Sequence, residues 1–259
     1  RVISSQAALS KGLVRRIEQM SAPLSNIVRD NDRINPTAAL HVEVIADFVC
    51  PFSFVGKRRL DEALKAVKGP SDVSWHPFQL NPDIPPEGLP FDVYLTKRFG
   101  SPANLEPVLE HLVEEGKGAR IDFRFDRIEH VPNTLPVHQV MQRVEALGLS
   151  QSALAYDLMS AFFEEGRYIG ERGVLIDIAE RHGMTAPEIR EAIGSDQARQ
   201  IVVTREAQVR SSGLMSTPGF LLNRRLLVVG AQPPESIVTA FDRAMFGEGT
   251  DSLVSPTLH

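Results

Sequence analysis

Asp47-Phe48-Val49-Cys50-Pro51-Phe52-Ser53-Phe54-Val55-Gly56 holds the only cysteine among 259 residues, and its flanks decide how the chain folds. The run before it, Val42 to Phe48, is apolar and rich in Val and Ile, which predicts a buried strand over 41–48. After it, Leu60, Leu64 and Val67 fall at helical spacing around Lys57, Arg58 and Arg59, which predicts a helix over 53–67. Cys50 therefore stands in the turn from a strand into a helix. There the unpaired N–H groups and the positive end of the helix dipole are expected to favour a thiolate. The alternative is that a lone cysteine is a small buried hydrophobe.

Working outward, the pattern is βαβ, then helices, then ββα. Val73 to Leu80 alternates and gives a second strand over 72–80, with Pro77 marking a strand end or an edge position. Apolar residues at i, i+3, i+4 spacing predict helices over 91–99, 103–116, 135–147, 151–165, 171–182, 186–193 and 196–212, separated mostly by glycines. Thr185 before Ala186-Pro187-Glu188 has the chemistry of a helix N-cap. Strands near 219–223 and 226–230 join through Asn223-Arg224, since asparagine tolerates the left-handed backbone of a tight hairpin. A last helix starts near 234. This is one split α/β domain over 40–247, a thioredoxin-type βαβ plus ββα with an all-helical insertion at about 90–212. Residues 248–259 form a tail.

Residues 1–39 differ in composition. Up to Asn35 they carry six basic and three acidic side chains, and Leu9, Leu13, Ile17 and Met20 follow helical spacing. They read as a partner-binding or dimer arm; their Arg and Ser content would also suit the remnant of an organelle-targeting segment.

Composition narrows the partners. The net charge of −5, with no Lys/Arg-rich run or aromatic-basic interleaving that offsets it, argues against nucleic acid, and no apolar run is long enough to span a bilayer. One cysteine cannot close an intramolecular disulfide, so nothing depends on an oxidising compartment, and a cytoplasmic location is expected. No Cys/His cluster has metal-ligand spacing, so no metal is expected.

A second site lies far along the chain. Met215-Ser216-Thr217-Pro218-Gly219-Phe220 puts an X-Pro bond directly before a strand. X-Pro is the bond at which cis costs least, roughly 0.5–1 kcal/mol. Taken with the cysteine turn, these residues resemble the DsbA-like thioredoxin group that includes FrnE-type proteins of polyketide pathways. They are also similar to the kappa-class glutathione transferases and 2-hydroxychromene-2-carboxylate isomerases. The resemblance runs over about 41–246. It includes Trp75-His76-Pro77-Phe78 with Asn81-Pro82-Asp83, Pro132-Asn133-Thr134 with His138, Phe163 to Gly170, and Gly230-Ala231-Gln232-Pro233.

The resemblance implies a thiol oxidoreductase in which Cys50 is the nucleophile and Ser53 its hydrogen-bond partner. Pro51, Phe52, Thr217, Pro218, Asn81 and Gln232 would bind glutathione or another thiol substrate, and Asn133, Thr134 and His138 would line the cleft. Gln232 precedes a helix whose N–H groups would suit the γ-glutamyl carboxylate. Asn81, Asn133, Thr134 and His138 could equally cap a helix or satisfy a loop, and Gln232 could equally be part of a turn and helix cap. Glutathione is the implied co-substrate, and a small thiol or small-molecule substrate and a homodimer are the implied partners. One departure matters: FrnE-type relatives carry a second cysteine where this chain has Ser53. A mixed disulfide at Cys50 would then need an external thiol to resolve it. The alternatives are a glutathione-dependent isomerase or transferase with no covalent step at Cys50, and a non-catalytic binding module.

Overall fold

The computed structural model describes residues 39–100 and 102–247. The expected N-terminal arm, apart from Ala39, and the C-terminal tail lie outside the described residues.

The strand before the cysteine is β1 (Leu40–Ala46), and it lies inside a four-stranded sheet. It pairs in parallel with β2 (Ser71–Pro77) and antiparallel with β5 (Gly219–Leu222), which pairs with β6 (Leu226–Val229) in an antiparallel hairpin. The order β2-β1-β5-β6 is the expected βαβ plus ββα sheet. The period of two sorts β1 between two layers: Val42 and Val44 join a core with Phe54, Phe220 and Phe241, whereas Ile45 packs with Phe78, Val209 and Leu221. Helices α1 (Pro51–Leu64) and α9 (Pro234–Phe246) build the first layer.

Between β2 and β5 run β3 (Leu89–Pro90), α2 (Phe91–Phe99), α3 (Pro102–Gly118), β4 (His130–Val131), α4 (Leu135–Ala146), α5 (Gln151–Phe163), α6 (Arg172–Glu180), α7 (Ala186–Gly194) and α8 (Asp196–Ser211). Every helix expected from apolar spacing is present within a few residues of its expected ends. The two-residue β3–β4 pair was not expected; it is too short to carry an alternation. The cap of α7 is a full capping box, with Thr185 and Glu188 each bonding the other's backbone. In the hairpin, Asn223 (φ 47°) and Arg224 (φ 56°) both adopt the left-handed backbone that a two-residue turn requires.

One strand end departs from expectation. The sequence predicts β2 to continue to Leu80, yet it stops at Pro77. Proline offers no N–H to the ladder, and the next donors are taken by carboxylates: Gln79 N–H donates to Glu206 (3.0 Å) and Leu80 N–H to Asp47 (2.6 Å). This diversion ties the segment after β2 to Asp47, just past the end of β1.

Candidate functional site

Cys50 is the N-cap of α1, with extended backbone (φ −93°, ψ 114°), and Pro51 fills the first helical turn, where a missing N–H costs nothing. Its carbonyl accepts from Ser53 N–H (3.0 Å) and Phe54 N–H (3.3 Å). The thiol does not cap the helix. It turns to the neighbouring loop and donates to the Thr217 carbonyl at 3.7 Å. Thr217-Pro218 is a cis peptide bond, and Pro218 packs on Gly56, where even a methyl group would come within 2.7 Å of Pro218 Cγ. A helix residue without a side chain is what lets the two loops meet.

The electrostatics differ from the sequence expectation. The helix terminus was expected to favour a thiolate, but burial pushes the Cys50 thiol above its ordinary range. The Thr217 hydroxyl and the hydroxyl and N–H of Ser53, which can donate to the sulfur, oppose that shift, and the charge of Asp47 adds to it. Only 4% of Cys50 is exposed, so a thiolate there would lose nearly all its contact with water.

Beneath the cysteine lies a polar cluster that the motif did not announce. Asp47 is fully buried, and burial raises its carboxyl to about 6 against the help of Leu80 N–H, the Thr134 side chain and the N–H groups of Val49 and Phe48. His138 on α4 faces it, with Nε2 at 3.9 Å from Asp47 Oδ1 and its ring against Phe48 (5.1 Å between centroids). Burial lowers the imidazole to about 3, so it is neutral at physiological pH.

The other expected site residues divide into two groups. Ser53 and Thr217 adjoin the thiol, and Asn81 lies within reach of Tyr94. Phe52 is exposed at the rim beside His111. Asn133, by contrast, is a loop clamp: it accepts from Gln79 Nε2 and Leu135 N–H and donates to the Pro82 and Ile84 carbonyls. Thr134 and His138 are buried under the site and do not line an open cleft. Gln232 folds onto its own turn, donating to Val229 O (2.9 Å), and Pro233 and Pro234 leave the start of α9 poor in N–H donors.

Tyr94 on α2 is a further member that sequence reasoning missed. Its side chain is within hydrogen-bond reach of Asn81 and feels the charges of Cys50 and Asp47, and burial raises its hydroxyl against the pull of Arg98. No motif marked it; its neighbourhood depends on how α2 folds over the 78–81 segment. A groove of about 790 Å³ between α3 and Phe123–Asp126 includes none of these residues. Among the described residues there is no cluster of His, Cys, Asp and Glu suited to a metal ion, and no helix is long and apolar enough to cross a membrane.

Residues 41–242 match the model of the DSBA-like thioredoxin domain. The chain belongs to that family. Among solved structures, the DSBA-like chain is similar to a probable DsbA oxidoreductase from Streptomyces coelicolor, with 25% identity and a TM-score of 0.73 over 83% of this chain and 94% of that one. Its fold is also that of a 2-hydroxychromene-2-carboxylate isomerase (14% identity, TM-score 0.60, 78% and 95% covered) and of the cytosolic disulfide reductase DsbM of Pseudomonas aeruginosa, solved with GSH (21%, 0.54, 79% and 95%). The uncharacterized protein YwbO of Bacillus subtilis (strain 168) is 28% identical over 159 residues, 60% of this chain and 72% of that protein.

Proposed function

We propose that the chain is a thiol–disulfide oxidoreductase that works with one cysteine and takes its second thiol from glutathione. The observation that carries this reading is the placement of the Cys50 thiol at the start of α1, against the Thr217 carbonyl, with a serine where a resolving cysteine would stand. Cys50, as thiolate, attacks one sulfur of a glutathione disulfide. A bond forms between Cys50 Sγ and that sulfur, the disulfide breaks, and the other half leaves as a thiolate that takes up a proton. The thiolate of a small-thiol substrate then attacks the glutathione sulfur of the adduct: a bond forms between those two sulfurs, the bond to Cys50 breaks with its electron pair returning to Cys50, and the product is a mixed disulfide of the substrate with glutathione. Ser53 donates to the sulfur but cannot resolve the adduct. Kinship of fold with DsbM, a cytosolic disulfide reductase solved with GSH, supports the reading. A cytoplasmic location, a small thiol substrate and a homodimer go with it; nucleic acid and membrane do not. The test is intact-mass analysis after incubation with oxidised glutathione. One glutathione adduct on the wild type, absent from Cys50→Ala, is expected; no adduct overturns the proposal.

One observation favours a second reading. The thiol held protonated by burial is a donor, the role a serine hydroxyl has in the isomerase relatives that the sequence resembles. Glutathione would then bind without a covalent bond, serving isomerisation or transfer on an aromatic small molecule. Glutathione-dependent turnover of a hydroxychromene carboxylate that survives Cys50→Ser, with no adduct on the wild type, is the result that decides for it.

A further inference from the structure

The groove between α3 and Phe123–Asp126 has an apolar floor and an acidic wall. Leu105, Leu109 and Val113 stand four residues apart on α3 and so form one stripe along the helix, while Phe123 and Phe125, stacked 5.1 Å apart, close the other side. Leu105, Leu109, Val113 and Phe125 are left half-buried. One residue on, Glu106, Glu110 and Glu114 repeat the four-residue spacing as a second stripe beside the first, and Asp126 adds a fourth acid. Glu114 pairs with Lys117 at 3.2 Å and Asp126 with Arg124 at 2.8 Å. Glu106 and Glu110 have no ion-pair partner among the described residues, and like charges four residues apart on a helix repel. The groove is therefore shaped for an occupant that is apolar along one side and basic beside it.

The chain carries such a segment itself. Leu9, Leu13 and Ile17 have the same four-residue spacing as Leu105, Leu109 and Val113, and Met20 continues the stripe at helical spacing. Among them Lys11, Arg15 and Arg16 outnumber Glu18. Up to Asn35 the region is basic, six charges against three, in a chain whose net charge is −5. We propose that residues 9–20 dock in this groove of their own chain. Leu9, Leu13, Ile17 and Met20 cover the apolar floor, and the basic side chains meet Glu106 and Glu110.

The tether permits this. Residues 21–38 join the segment to the start of β1, and at about 3.3–3.6 Å per residue they reach roughly 60 Å when extended. A domain of about 200 residues is roughly 45 Å across, so the groove is within range. A tether of this kind also holds the segment at an effective concentration on the order of millimolar, so weak surface ion pairs and a modest apolar contact suffice within one chain. His111 and Glu115 stand two residues on from Leu109 and Val113, on the other side of α3, where they meet Phe52 and Arg59. The docked segment therefore leaves the rim of the thiol site uncovered.

Hydrogen exchange read by mass spectrometry on the full chain tests the docking. The amides of residues 9–20 are expected to exchange about tenfold more slowly in the wild type than in Glu106→Lys/Glu110→Lys, which changes two exposed side chains. Adding Arg15→Glu/Arg16→Glu to that variant is expected to restore the protection. Leu13→Asp, which alters the segment and leaves the groove intact, is expected to free residues 9–20 and to speed exchange across 105–113. Equal exchange of residues 9–20 in the wild type and in both disrupting variants overturns the proposal. Protection that is lost on dilution assigns the groove to the segment of a second copy, and that result overturns it as well.

Discussion

Cys50 Sγ and the Thr217 carbonyl meet at 3.7 Å across 167 residues of sequence, and this contact joins the two halves of the sheet at the thiol. A serine hydroxyl can donate to the same carbonyl. Cys50→Ser is therefore expected to unfold within about 1 kcal/mol of the wild type while thiol exchange falls to background. Denaturant titration and an exchange assay with oxidised glutathione check the two halves of that expectation.

Gly56 is the residue that lets α1 approach the Thr217-Pro218 loop. A Cβ there would sit 2.7 Å from Pro218 Cγ and 3.1 Å from the Phe220 ring, both in the packed interior. Gly56→Ala is expected to destabilise by about 1–3 kcal/mol through overpacking and to lower the rate of Cys50 alkylation or exchange by shifting the opposed loops. Gly69, where a Cβ would meet nothing within 4 Å, is the control: Gly69→Ala should leave both quantities unchanged.

The helices and the sheet were legible because their apolar residues keep strict periods, and the Asn223-Arg224 turn because its backbone admits few residues. The thiol site was legible in part. Cys50, Ser53, Thr217 and Pro218 sit in motifs that the chain brings together, but the state of the thiol does not follow from position in sequence. The N-terminus of α1 argues for a thiolate, whereas burial, which no local pattern reports, pushes the thiol upward. Asp47 was not singled out, because its partners arrive from α4 and from the segment after β2. Pro77 allowed a strand end or an edge position, the alternation carried β2 on to Leu80, and nothing local showed that Glu206 and Asp47 would take the N–H groups of Gln79 and Leu80.

Asn223 shows how a turn residue holds distant parts. Its Oδ1 accepts from His41 N–H (2.8 Å) and its Nδ2 donates to the Ala244 carbonyl (3.1 Å), tying the hairpin to the start of β1 and the end of α9. Asn223→Ala loses both bonds and also strains a left-handed backbone, for an expected loss of about 1–3 kcal/mol. Asn223→Gly keeps the backbone and should recover part of that loss. Thermal unfolding of the three chains measures the split.

Asp47 and His138 make opposite contributions to stability as pH changes. The folded Asp47 carboxyl is raised from 3.8 to about 6, so the folded state holds more protons than the unfolded chain between those values. Its contribution is fully present below pH 4 and is lost as pH rises through about 6, roughly 3 kcal/mol in all. The folded imidazole is lowered from 6.5 to about 3, so its contribution is present above pH 6.5 and lost as pH falls through about 3. Over pH 4 to 6 the two oppose each other. The stability of Asp47→Asn relative to the wild type should therefore rise by up to roughly 3 kcal/mol between pH 4 and 7. That of His138→Phe relative to the wild type should fall over the same range. Denaturant unfolding at closely spaced pH values measures both differences, and parallel pH curves for the three proteins would show that neither group titrates differently in the folded chain.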